Sequence, residues 1–181
     1  DTPHPFHDFH AEAFVATAVE RLASKGCHHV TLVVGDDSTT NHHNLMGAFE
    51  RATASAGIGA RVMKGTQGMP PAEMRRMAFE LAQEPGRPDG ILCDSEMRTI
   101  ALASGLQEAG LQLGKDIELI YKQTSGILPT LFPALDSIRE DVFAAGGELT
   151  HLLLQRIEGA DASHLQTLGE PQPQWRSERN R

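Results

Sequence analysis

The sequence predicts an α/β protein: a doubly wound, mostly parallel sheet flanked by helices. Short β-branched runs alternate with longer segments whose apolar residues recur at helical spacing, and Gly or Pro-Gly turns separate them. No internal repeat, heptad run or low-complexity block interrupts this order.

The first helix is expected near 10–25, with Phe14, Val15, Ala18, Val19 and Leu22 on one face and Gly26 closing it. The run HHVTLVV (28–34) reads as a buried parallel strand, because both faces of such a strand are covered. A polar loop, GDDSTTNHH (35–43), precedes a helix with Leu45, Phe49, Ala52 and Ala56 inward, which Gly57 ends. Residues 60–64 (ARVMK) read as the second strand. Pro70-Pro71 then start a helix carrying Met74, Met77, Ala78 and Leu81.

The turn PGRPDG (85–90) leads into the strand ILC (91–93), and Asp94 or Ser95 caps a helix with Ile100, Leu102 and Leu106. DIELIY (116–121) reads as the fourth strand, and residues 122–133 as a loop long enough to be functional. Residues 135–140 make a fifth strand or a crossover. The last helix, about 141–158, is expected to turn Val142, Leu149, Leu153 and Ile157 inward. Strand candidates at 164–168 and 173–177, with the lone Trp175, finish the chain.

Composition narrows the function. The 181 residues hold 16 Lys+Arg against 24 Asp+Glu, a net charge of -8, which opposes binding to a phosphate backbone by this segment. No apolar run approaches the roughly 20 residues that span a bilayer, so no membrane contact is expected. Two cysteines, Cys27 and Cys93, are too few for a disulfide-built fold and fit a reducing, cytoplasmic setting. The start, DTPHPFHDFH, has neither an initiator Met nor a signal-peptide pattern, so the chain is expected to be part of something longer.

Catalytic and metal motifs are missing. His4, His7 and His10 are spaced by three, but in a Pro-containing stretch, and no HExxH or Cys/His pair accompanies them; solvated loop histidines are the preferred reading. There is no GxSxG elbow, GxGxxG or GxxxxGK, and each Cys sits at a strand edge as a small hydrophobe. No catalytic group, metal or cofactor is therefore expected. What remains is a set of polar residues at strand ends: Asp36, Asp37, Asn41, Asn44, Asp94, Ser95, Lys122 and Gln123. In open parallel sheets ligands bind beyond the carboxyl ends of the strands, and carboxylates, amides and an ammonium suit a small polar ligand.

Several blocks resemble the effector-binding domain of the lactose-repressor (LacI/GalR-type) family of bacterial transcription regulators, over about residues 6 to 177. AVERLASKGCHHVTLVVG is similar to the family's helix and following strand, and AFERATASAGI to its next helix. PDGILCDSE, GLQEAGLQLGKDIELI and FPALDSIREDVFAAGGELTHLLLQRIEG follow in the family's order and spacing, and WRS is similar to its closing Arg-x-Ser.

The resemblance implies a periplasmic-binding-protein-like fold of two α/β lobes joined by three crossovers, with the first lobe incomplete here. Residues 1–181 would form one effector-binding and dimerisation domain, about 27–121 being mainly the second lobe and the rest returning to the first. It further implies a small-molecule effector, a sugar or related polar metabolite, held between the lobes of a homodimer. Operator DNA would be read only by an N-terminal helix-turn-helix that these residues lack. A periplasmic solute-binding protein of an ABC transporter shares the architecture and is the alternative.

At the site the sequence departs from the family. The effector-contacting Arg, four residues before the helix aromatic, falls at Leu45, beside Asn44; the Asn-Asp pair becomes Cys93-Asp94, before Ser95; and Gln123 replaces a sugar-binding Asp. Loss of an Arg and an Asp removes a charged clamp on hydroxyls, while Lys122 is expected to favour an acidic or phosphorylated effector.

Overall fold

The computed structural model describes residues 4–35, 39–64 and 66–176; the expected loop residues Asp36 and Asp37, and Ser177 of the closing WRS, lie outside them. In chain order the elements are β1 (Phe6–Phe9), α1 (Ala11–Ser24), β2 (His29–Val33), α2 (Thr40–Ala56), β3 (Gly59–Met63), α3 (Pro71–Gln83), β4 (Gly90–Cys93) and α4 (Glu96–Glu108). There follow β5 (Glu118–Gln123), α5 (Ile127–Leu131), β6 (Asp136–Arg139), α6 (Val142–Ile157), β7 (Gln166–Gly169) and β8 (Gln172–Gln174).

Six strands form the larger sheet, in the order β3-β2-β4-β5-β6-β8. Its first five strands run parallel, and β8 lies antiparallel against β6. Alternate side chains of a strand face opposite ways, and the core obeys this. Val30, Leu32, Leu92, Ile120 and Ile138 pack under α1 and α2, with Phe14, Leu22, Leu45 and Phe49. Val33, Ile91, Cys93, Leu119 and Tyr121 pack on the other face with Met74, Leu81, Leu102 and Leu106 of α3 and α4. Each fully buried Leu or Phe stabilises the fold by roughly 1.5–3 kcal/mol.

A second, two-stranded sheet pairs β1 with β7 in parallel, and α6 packs against β1. The expected 164–168 strand is β7. The other, β1, carries no sequence signal, because FHDF is short and flanked by Pro5 and His10. Three connections join the sheets: β1 to α1 through His10, β6 to α6 through Glu140-Asp141, and β7 to β8 through Glu170-Pro171. The backbone N–H of His10 donates to Gly169 O at 3.1 Å, so the first and third lie side by side. The larger sheet takes in α1, β6 and β8, beyond the 27–121 expected for one lobe, because α1 buries Phe14 and Leu22 on it and β6 pairs with β5.

Other boundaries move. α2 begins at Thr40 instead of after 43, because the Thr39 hydroxyl accepts from His42 N at 3.1 Å and caps it. β5 continues through Lys122 and Gln123, and α5 shortens the expected 122–133 loop. The largest correction is α6. Val142, Leu149, Leu153 and Ile157, expected inward, are exposed, as are Phe143 and Leu154. The stripe turned to β1 is Ala145, Glu148, Leu152 and Gln155, of which only Leu152 is fully buried. The helix has apolar residues on more than one stripe, and the narrow β1–β7 sheet covers one of them. Among the described residues no helix is long and apolar enough to cross a membrane.

Candidate functional site

The carboxyl ends of β2, β4, β5 and β6 share one edge of the larger sheet, and most of the expected site residues gather there. Asp94 follows β4 directly. Its carboxylate pairs with Arg98 one helical turn on, while Oδ2 accepts from Gly35 N at 3.4 Å. Arg98 also donates to Gln67 Oε1 at 3.3 Å. Ser95, not Asp94, caps α4, accepting from Arg98 N at 3.5 Å. Gly35 leaves space here: a Cβ would lie 2.8 Å from Gln67 Oε1 and 3.2 Å from the Arg98 guanidinium.

At the next strand ends, Lys122 Nζ lies 3.0 Å from Glu140 Oε1, and both side chains are largely buried. The ammonium also stands 5.2 Å from the centre of the Phe14 ring, a cation–π contact. Burial pushes the Glu140 carboxyl above the usual carboxylate range; Lys122 opposes that shift, and the charges of Asp8 and Asp94 add to it. Lys122 is thus committed to an internal carboxylate rather than free for an anionic ligand. Gln123 is also engaged, accepting from Ser137 Oγ at 2.7 Å and donating from Nε2 to Ser125 O at 3.0 Å. Glu96, in the first turn of α4, accepts from Thr124 Oγ1 and Ser125 N, both at 3.1 Å.

Two cavities open on this edge. One of about 320 Å³ is lined by Gln123, Thr124, Ser125, Arg139, Glu140 and Asp141, with Phe143 at its rim. The other, about 250 Å³, brings Asn41 and Asn44 together with Asp8, His10, Glu12 and Arg51. The two arginines on these walls have partners, Arg139 with Asp141 at 2.6 Å and Arg51 with Glu12 at 2.8 Å, and Lys122, which lines neither cavity, is paired with the wall residue Glu140. An uncharged ligand rich in hydroxyls or amides would find donors and acceptors here without breaking an ion pair.

Leu45 does not join the site. It is 0% exposed, packed in the core with Phe14 and Leu32, so the position matching the family's Arg has no surface to offer a ligand. Sequence reasoning missed Asp8, Arg98, Thr124, Ser125, Glu140 and Asp141. Arg98, four residues after Asp94 on a helix, was legible; Asp8 and Glu140 depend on strand register and on how the two sheets meet.

Two of the three closely spaced histidines, His7 and His10, make structural contacts. His7 contacts Thr167 Oγ1 at 2.8 Å, and His10 caps α1 by accepting from Ala13 N at 3.3 Å. Among the described residues no three His, Cys, Asp or Glu gather as metal ligands would. Burial pushes the Cys93 thiol up to about 11 and Cys27 up to about 12, the reverse of an activated nucleophile.

The sequence profile of the periplasmic binding protein-like domain matches residues 19–177. Among proteins of known role, the chain is 24% identical over 160 residues to the HTH-type transcriptional repressor PurR of Aliivibrio fischeri, covering 87% of this chain and 47% of that one. The chain therefore spans about half the length of that relative. Among solved structures, a regulatory protein of the LacI family from Chloroflexus aggregans superposes with a TM-score of 0.85 at 21% identity, over 96% of this chain and 63% of that one. A LacI family transcriptional regulator from an Arthrobacter species, in complex with lactose, gives 0.80 at 16% identity, over 94% and 63%.

Proposed function

The chain belongs to the family of periplasmic binding protein-like domains, and from that premise we propose that it is the effector-sensing part of a bacterial DNA-binding transcription regulator. The observation that carries this reading is the similarity, over 87% of the chain, to a transcriptional repressor, joined to a strand-end edge whose polar groups suit a small ligand. An effector that binds one arrangement of the sheets better than another shifts their populations, and that difference in affinity is what an attached DNA-reading segment would sense.

The effector in this proposal is an uncharged sugar or related polar metabolite, held by Gln123, Thr124 and Ser125 on one side and by Asn41 and Asn44 on the other, near Asp94 and Ser95. The lactose bound by the Arthrobacter regulator supports this class, and the paired cations weigh against an anionic effector. Operator DNA would be contacted by a helix-turn-helix outside these residues, in the cytoplasm, and no catalysis is assigned.

Two exposed surfaces support the remaining architecture. The exposed apolar stripe of α6 and, among the described residues, the unpaired edges of the β1–β7 sheet fit a first lobe completed by further strands, since an open strand edge presents unpaired backbone groups. Met97 of α4 and Ile127 and Leu131 of α5 are exposed, the Glu96 carboxylate ties α4 to the segment just before α5, and these apolar residues suit a homodimer contact.

Thermal-shift measurements against neutral sugars, sugar phosphates and nucleobases test the reading, because a ligand of the native state raises apparent stability. A neutral sugar should raise the melting temperature and its phosphorylated form should not. If only the phosphorylated forms act, or none of the panel does, the proposal fails.

A further inference from the structure

Away from the carboxyl ends of the strands, a cavity of about 240 Å³ opens where β2 and β3 begin, and His29, Thr31, Gly59, Arg61, Gly86 and Pro88 are among the residues that line it. Its floor is the β2–β3 margin of the larger sheet. His29 and Thr31 alternate with Val30 along β2, and Gly59 and Arg61 stand beside them in parallel register. All four therefore face the α3 side, as Val33 and Met63 do further along. Gly59 leaves room that a side chain would take: a Cβ there would lie 2.8 Å from Cδ2 of the His29 ring. The roof is the turn from α3 to β4, and it is held in place. The Asp89 carboxylate accepts from the backbone N–H groups of His28 and His29 at 2.7 and 2.8 Å, and the Arg87 guanidinium donates to Asp116 O at 3.2 Å. A cleft between segments already fixed loses little order when it is filled.

Two features of the walls bear on what the cleft holds. Thr31 is 0% exposed, yet its hydroxyl has no hydrogen-bond partner among the described residues, and a buried polar group left unpaired costs free energy that a partner returns. Arg61 pairs through both terminal nitrogens with the two carboxylate oxygens of Glu84, at the end of α3. That pairing uses the edge of the guanidinium, and the half-exposed side chain keeps its flat faces open to stacking.

We propose that this cleft is a second small-molecule site, and that it takes a neutral flat ring carrying one hydroxyl or ring N–H. Arg61 and Glu84, both half-exposed, move as a pair to admit the ring, which stacks on the guanidinium while its polar group meets Thr31 Oγ1. An anion would have to displace Glu84 from Arg61. The volume lies below the roughly 300–1,000 Å³ of drug-sized pockets, which limits the ligand to one ring or two fused rings.

Titrating the isotopically labelled chain with indole, and following backbone amide resonances, tests this without any effector. Cyclohexanol, which has a hydroxyl but no flat face, is the comparison. Indole should shift the amides of His29, Thr31, Gly59, Arg61 and Gly86 together and saturably, and cyclohexanol should bind about tenfold more weakly or not at all. Thr31→Val keeps the shape of the side chain and removes the hydroxyl; Arg61→Lys keeps the charge and removes the plane. Each should weaken indole binding about tenfold. Should Thr31→Val fail to fold, Arg61→Lys, at a half-exposed position, decides alone. Shifts confined to the exposed apolar residues of α6, no saturable shift at the cleft, or an affinity that both variants leave unchanged overturns the proposal.

Discussion

Arg21 donates its Nε–H to Asp136 Oδ2 at 2.8 Å across 115 residues of sequence, and the Asp136 side chain is 1% exposed. The same carboxylate accepts from the backbone N–H of Arg176 at 2.6 Å, while Trp175 stacks on the Arg21 guanidinium at 4.7 Å. Arg176 grips Glu118 with both terminal nitrogens, each at 2.6 Å. One buried acid thus ties α1, β6 and the segment after β8 together. Replacing Asp136 with Ala should cost about 3–5 kcal/mol, the penalty for leaving charge without its buried partner. Urea denaturation measures it; a loss below about 1 kcal/mol would show the pair to be incidental.

Gly105 is where α4 crosses α3. A Cβ there would stand 2.1 Å from the carbonyl oxygen of Arg75 and 2.8 Å from Ala78 Cβ, and the first contact is with backbone that cannot rotate away. Helix propensity alone favours Ala over Gly by about 1 kcal/mol, so a stabilised Gly105→Ala variant would mean the helices are free to separate. The expected result is a loss of about 1–3 kcal/mol through overpacking.

Leu45 separates packing from binding. Leu45→Ala should cost about 2–5 kcal/mol, as buried leucines do, and leave the affinity for any sugar that binds the chain unchanged at temperatures where the variant stays folded. A change in affinity without a loss of stability would return the position to the site.

The cysteines should report unfolding rather than chemistry. With thiols pushed up to about 11 at Cys93 and about 12 at Cys27 by burial, neither forms a thiolate readily at neutral pH. Ellman-type labelling of the native chain should be slow at both and become fast only in denaturant. Rapid reaction of either thiol in the native state would contradict the packing described.

Much of this fold was legible because the larger sheet follows simple periodicities: β-branched runs buried on both faces, and helices with one dry side closed by glycine. Long-range geometry was not. The buried stripe of α6 could not be chosen from its sequence, since apolar residues occupy more than one stripe and the sheet it meets, β1 with β7, joins segments about 160 residues apart. At the site the reverse holds. Asp94 and Gln123 could be placed at strand ends from architecture alone, whereas Asn44 lies on α2, and the partners that neutralise the cations, Glu140 above all, appear only once β5 and β6 are in register. That is why Lys122 reads as an anion anchor in the sequence and as half of an ion pair in the fold.

The central claim is that a neutral polar effector binds at the carboxyl ends of the larger sheet. Titrating the isotopically labelled chain with the neutral sugar that most raises its melting temperature, and following backbone amide resonances, tests this most directly. The account predicts shifts concentrated at Asn41 and Asn44, at Gln123 to Ser125 and at Asp141 to Phe143, and their loss in Gln123→Ala. Shifts confined to α3 and α4, or none with any sugar, would contradict it.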